Sequence, residues 1–244
     1  MEVHKHLHHV THKKKWTEYL LEFFMLFLAV FLGFVAENIR EEVVEKHREK
    51  QFMQSLIKDL QLDTAYANRS LDAISKRNLS IDSTLDYFIS HPHPSEVPLS
   101  TVRQMRRSTW DQVFLEHSGT IDQLKYSGGL RLIQSRNLVD SIESYYQQIN
   151  RYGLAKQSYR TNQDLVYVFL EKLFDAFTNI KIYARHERLS DSSIMIIHPD
   201  FLNEYLNLLV RLKLSANNDK SNDNQVKVRA NNLIELIRKE YQLY

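Results

Sequence analysis

A run of 14 uncharged residues, Phe23 to Ala36 (FFMLFLAVFLGFVA), constrains this chain more than any other feature. Gly33 is its only member that is not hydrophobic. Extended back to Tyr19, the run covers 18 residues broken only by Glu22. At 1.5 Å per residue that is about 27 Å, close to the roughly 30 Å of a bilayer's hydrocarbon core. A core helix of a soluble protein keeps a polar face, and this segment is apolar nearly all round. Residues 16–36 are therefore expected to form a single transmembrane helix. A cleaved signal peptide would need small residues at positions −3 and −1. Ala36 suits −1, but Phe34 falls at −3, and Glu18 and Glu22 oppose a basic leader. The expectation is an uncleaved anchor.

Orientation follows from the basic residues. Lys13, Lys14 and Lys15 abut the N-terminal end, with Lys5 further back, so the count ties with Arg40, Lys46, Arg48 and Lys50 beyond the other. The cluster nearest the membrane favours retention inside, and large domains translocate largely regardless of charge. This places residues 1–15 in the cytoplasm and the C-terminal body in the periplasm, across an inner (cytoplasmic) membrane.

Read at helical spacing, one side of the segment carries Glu18, Glu22, Leu26, Ala29, Gly33, Ala36 and Glu37. Ala29 and Gly33 are a small-xxx-small pair, which lets two helix backbones approach closely, and Ala36 extends the face. Phe23, Phe24, Phe27, Phe31 and Phe34 occupy the remaining surface and suit lipid. Glu22, on the small-residue side, is an intramembrane ionisable candidate. Two readings stand for it: snorkelling to the interface, or lining an assembly.

Beyond the anchor, residues 37–90 contain no Gly or Pro. They open with Glu42–Lys46, Glu37–Arg40 and Glu45–Arg48 at helical pairing distance. A stripe of Leu56, Leu60, Asp63, Ala67, Leu71, Ile74, Asn78, Ile81, Leu85 and Phe88 follows. This spacing predicts a stalk with a coiled-coil-like seam interrupted at Asp63 and Asn78. HPHPSEVP (residues 91–98) holds three of the four prolines and ends the arm.

The body, residues 99–244, reads as helices over about 100–117 and 120–126, then one long helix over 137–182 with a bend at Gly153. The Ser127-Gly128-Gly129 turn lacks the GK[ST] and preceding strand of a phosphate loop, so a helix-to-helix turn is expected. SDSSIMIIHP (190–199) is expected as a loop with one extended piece. Two helices, 200–214 and 226–241, are separated by NNDKSNDN (217–224), expected as an exposed loop. The fold class is all-α: one N-terminal transmembrane helix, a long helical stalk and an antiparallel helical bundle. With 5 Gly and 4 Pro among 244 residues, an all-β fold lacks its turn residues.

Chemistry is harder to find. The chain has no Cys, which excludes disulfides, thiolate zinc sites and a cysteine nucleophile. Five of 11 histidines (His4, His6, His8, His9 and His12) crowd the leader, and clustered imidazoles bind Zn, Ni or Cu. The leader lacks apolar residues to fold on and carboxylates to orient the rings beyond Glu2, so it is read as a solvated tail without a resident metal. Arg103, Arg106 and Arg107 read as a solvated helix face. HExxH, GxSxG, GxGxxG and DxDxDG are all absent. A net charge of +2 gives no reason to expect nucleic acid. No enzyme and no cofactor are expected. The leading function is an interaction or scaffold protein, self-associating, with the lipid bilayer and an unidentified protein as partners. The rival is an ion- or proton-conducting component of a transport complex that uses Glu22.

The block from Lys14 to Asp63 (KKWTEYLLEFFMLFLAVFLGFVAENIREEVVEKHREKQFMQSLIKDLQLD) resembles an uncharacterised family of single-pass membrane proteins common in Bacteroidetes-type bacteria. An EFxxxFLAVFLGFxAEN segment is its mark. LKYSGGLRLIQSRNLVDSIESYY (Leu124 to Tyr146) resembles that family's second block. The resemblance implies a membrane-anchored helical protein, and it transfers no catalytic or binding residues.

Overall fold

A computed structural model describes residues 15–110, 116–185, 189–191 and 193–243. Helix dominates them, with α1 (Trp16–Ser90), α4 (Arg136–Leu173) and α6 (Leu202–Tyr241) by far the longest elements. The chain divides into two compact units, Met1–Lys50 and Gln51–Tyr244.

The described part of the first unit is α1 up to residue 50, part of a helix long and apolar enough to cross a membrane by length and composition. Its polar turns carry the Glu37–Arg40 and Glu42–Lys46 pairs, at 2.5 and 2.6 Å.

In the second unit, residues 51–90 of α1 pack with α4 and α6 around two apolar clusters. One joins Met53, Leu56 and Leu60 to Leu138, Ile142, Leu233 and Ile237. The other joins Ile74, Ile81 and Phe88 to Val166, Leu173, Leu202 and Leu209. The numbers rise together along α1 and α4 and fall along α6. Residues 51–90 thus run parallel to α4, and α6 runs antiparallel to both. Two parallel helices need a return connection, which residues 91–135 supply. In that connection the His117 and Thr120 backbone N–H groups donate to Asp63 and Asp59 of α1, at 2.9 and 3.0 Å.

Several expectations change. Residues 51–90, read as stalk, are a core helix of this unit. A heptad seam has the same pattern whether its partner is a second copy or the same chain. The helix expected over 100–117 is α2 (Leu99–Arg107), which stops where the Ser108 and Thr109 hydroxyls turn back to the Met105 and Arg106 carbonyls; residues 111–115 of that reading lie outside the described set. α4 runs through Gly153 and ends at Leu173, short of residue 182. Its start is capped by the Ser135 hydroxyl, which accepts from the Leu138 N–H at 3.3 Å.

The largest correction concerns 217–224. The stretch expected as an exposed loop is a continuous part of α6, with Asp219 and Asp223 buried.

Smaller elements behave as their residues dictate. α3 (Gly119–Tyr126) stops at Ser127, where Gly128 adopts φ +69°. A side chain there would be strained. The extended piece is β2 (Ile194–Ile196), which pairs antiparallel with β1 (Glu96–Pro98) and buries Val97 and Met195. α5 (Ala176–Asn179) is a single turn after α4.

Candidate functional site

On the membrane-type segment, Phe23, Phe24, Phe27, Phe31 and Phe34 remain 51–64% exposed, and the Phe27 and Phe31 rings stack at 6.1 Å. Ala29, Gly33 and Ala36 are also exposed, and a Cβ added at Gly33 would meet nothing within 4 Å. Glu22 lies on the exposed surface. Among the described residues, Ala29, Gly33 and Ala36 are not packed against another element. His4, His6, His8, His9 and His12 lie outside the described residues. Among the described residues no three His, Asp or Glu side chains gather as a metal site.

Sequence reading missed a different constellation, a polar ladder through the middle of the three-helix unit. Asp63, Ser70 and Arg77 follow one another at heptad spacing on α1; Tyr145, Tyr152 and Tyr159 do the same on α4. Because these helices run parallel, the two heptads stay in register and each α1 residue meets the α4 tyrosine 82 positions later. All six are buried.

In the first rung the Tyr145 hydroxyl donates to the Asp63 carboxylate at 2.7 Å, and the His117 ring approaches its other oxygen at 2.9 Å. Burial raises the Asp63 pKa, and the hydrogen bonds from Tyr145 and His117 offset part of that. Burial, together with the Asp63 charge, drives the Tyr145 hydroxyl far above its ordinary range. In the second rung Asp223 of α6 lies against the Ser70 and Tyr152 hydroxyls. Its pKa is raised by burial, with those hydroxyls and Lys156 acting in the opposite sense. In the third, the Arg77 guanidinium sits 4.5 Å from the Tyr159 ring centre, and the Lys156 ammonium approaches the same ring at 4.7 Å. Lys156 also donates to Asp219 of α6 at 3.1 Å, between side chains 7% and 2% exposed.

Lys156 thus offsets Asp219 and Asp223 inside the bundle, and one residue set ties all three helices. Burial holds the Tyr145 and Tyr152 hydroxyls protonated, and that of Tyr145 donates to Asp63. A sequence signal was present in the shared heptad of Asp63, Ser70 and Arg77. Only Asp63 stood out, because Ser70 and Arg77 flank an equally plausible apolar stripe.

Comparison with protein-family models, curated proteins and solved structures finds no match.

Proposed function

We propose that this chain is a membrane-anchored, non-enzymatic helical interaction protein. Residues 16–36 cross the cytoplasmic membrane, the leader stays inside, and the three-helix unit lies in the periplasm. Copies associate through Ala29, Gly33 and Ala36. The observation that carries the reading is the exposure of five phenylalanines on consecutive turns of one helix. Soluble proteins rarely leave an apolar surface of that extent in water, and lipid is the environment that removes its cost. The small-residue side adds the second element, because open space beside Gly33 admits a second helix.

Two measurements test this reading. An alkaline phosphatase fused after Tyr244 is expected to be active, and a fluorescent cytoplasmic reporter at the same place dark. The opposite pattern would move the helical unit to the cytoplasm. Gly33→Leu is expected to shift crosslinked species in detergent toward monomer, and an unchanged distribution would leave a monomeric anchor.

A further inference from the structure

Residues 69–83 of α1 and the α2 end through Trp110 enclose a groove of about 690 Å³. That volume falls in the range of small-molecule sites, roughly 300–1,000 Å³. Among the described residues four cations line it, Arg69, Lys76, Arg77 and Arg107, against one carboxylate, Asp72. The whole chain carries only +2, so this face concentrates positive charge well beyond the average.

The cations differ in how they are held. Arg77 is 2% exposed and fixed, with its Nη1 donating to the Trp110 carbonyl at 3.3 Å. Arg69 stacks its guanidinium 4.2 Å from the Tyr66 ring centre, which orients the fork without neutralising it. Lys76 is shared with Asp72 at 2.7 Å. Among the described residues neither Arg69 nor Arg107 pairs with a carboxylate. Two exposed apolar side chains complete the walls: Leu79, 68% exposed, and Trp110, 70% exposed.

We infer that this groove binds a phosphate ester carrying a planar or apolar body. Guanidinium forks match the oxygens of a phosphoryl group two at a time, and several cations suit a multiply charged anion better than a single carboxylate. An inorganic ion would leave most of the volume empty. The indole of Trp110 and the Leu79 side chain offer the surface on which a ring or chain would lie. The same chemistry comes from two sources, a soluble nucleotide-type molecule or a lipid headgroup.

The chain's two tryptophans make the test direct. Trp16→Phe leaves Trp110 as the sole indole of the full-length protein in neutral detergent. Adenosine diphosphate, adenosine and short-chain phosphatidylglycerol are titrated separately while Trp110 emission is followed. Saturation by either phosphate compound below about 1 mM supports the site, and the one that saturates identifies the source. Arg69→Gln and Arg107→Gln are each expected to weaken that binding about tenfold, the loss of one charge-assisted hydrogen bond. Both residues are exposed, so unchanged helical circular dichroism separates lost binding from lost folding. Absence of saturation by both phosphate compounds would overturn the inference. So would an equal response to adenosine, or affinities untouched by both arginine variants.

Discussion

Two stretches of this chain invert the rule that polar residues face water. The most apolar stretch, residues 23–36, leaves its phenylalanines more than half exposed, whereas the Asn- and Asp-rich stretch 217–224 buries two carboxylates completely inside a bundle. Among the described residues the first is left unburied, and the second has partners on two other helices. Burial is thus decided by what neighbouring elements present. Under the proposed reading lipid would substitute for a partner along residues 16–36; Lys156, Ser70 and Tyr152 supply one for α6.

The sharpest way to break this comparison is to remove the partner. Lys156→Met removes the ammonium 3.1 Å from the buried Asp219 carboxylate, and breaking one side of a buried ion pair costs about 3–5 kcal/mol. Urea unfolding of the full chain in detergent, followed by circular dichroism, should show that loss. The double variant Lys156→Met/Asp219→Leu should recover wild-type stability or exceed it, since apolar replacements of buried ion pairs are commonly neutral or better. A double variant as unstable as the single one would mean that the pair supports α6 by something other than charge compensation.

Next in size is Tyr145→Phe, which removes a 2.7 Å donor from the Asp63 carboxylate. Hydrogen bonds to charged groups contribute about 1.5–3 kcal/mol, and a loss in that range is expected by the same unfolding measurement. A loss below a few tenths would show that the two His117 contacts satisfy Asp63 unaided.

Why one stretch was legible in sequence and the other was not follows from the same contrast. An apolar run the length of a bilayer needs no knowledge of a partner, so a candidate span could be picked out of residues 16–36 alone. The all-helical class was equally accessible, since Gly and Pro are scarce and apolar residues recur every three or four positions. The partner of a seam, however, is not written in the seam. Leu56, Leu60, Ile74 and Ile81 predicted helix packing correctly, yet they meet α4 and α6 of the same chain where a second copy was expected. Residues 217–224 failed for a related reason. Asn, Asp and Ser favour turns because their side chains compete for the backbone, and here tertiary partners override that preference. Asn217 shows this locally, accepting from Asn78 of α1 at 3.2 Å in place of a turn's own backbone. The groove at Arg69 and Arg107 was invisible because its cations come from elements whose proximity only the return connection creates.

The carboxylates also give a pH test. Burial raises the Asp223 pKa above its unfolded value, so between the two values the folded state binds more protons than the unfolded state. Its contribution to stability therefore falls as pH rises through that window, the reverse of an ordinary salt-bridged aspartate. Asp223→Asn, which keeps the shape of the protonated form, is expected to be more stable than wild type at pH 7. That advantage should shrink toward zero as pH approaches about 4, near the unfolded aspartate value. Parallel unfolding curves at pH 4, 5.5 and 7 check it, and an advantage independent of pH would remove ionisation as its cause.

The smallest effect compares two glycines, one from each unit. Added Cβ atoms at Gly33 and Gly153 would both meet nothing within 4 Å, and both residues are exposed on helices. If open space were the whole account, alanine would act alike at both positions. It would stabilise each helix by about 0.5–1 kcal/mol, because glycine loses more backbone entropy on folding. Gly153→Ala is expected to do this, raising the urea midpoint of the three-helix unit, since α4 runs straight through that position. Gly33→Ala is expected to differ, because the proposed association places a second helix in that space. A methyl group there separates the two backbones and reduces crosslinked dimer even as the isolated helix gains propensity. Equal behaviour at both sites, a gain in stability with no change in crosslinking, would assign the open face of Gly33 to lipid and leave the proposed association without its contact surface.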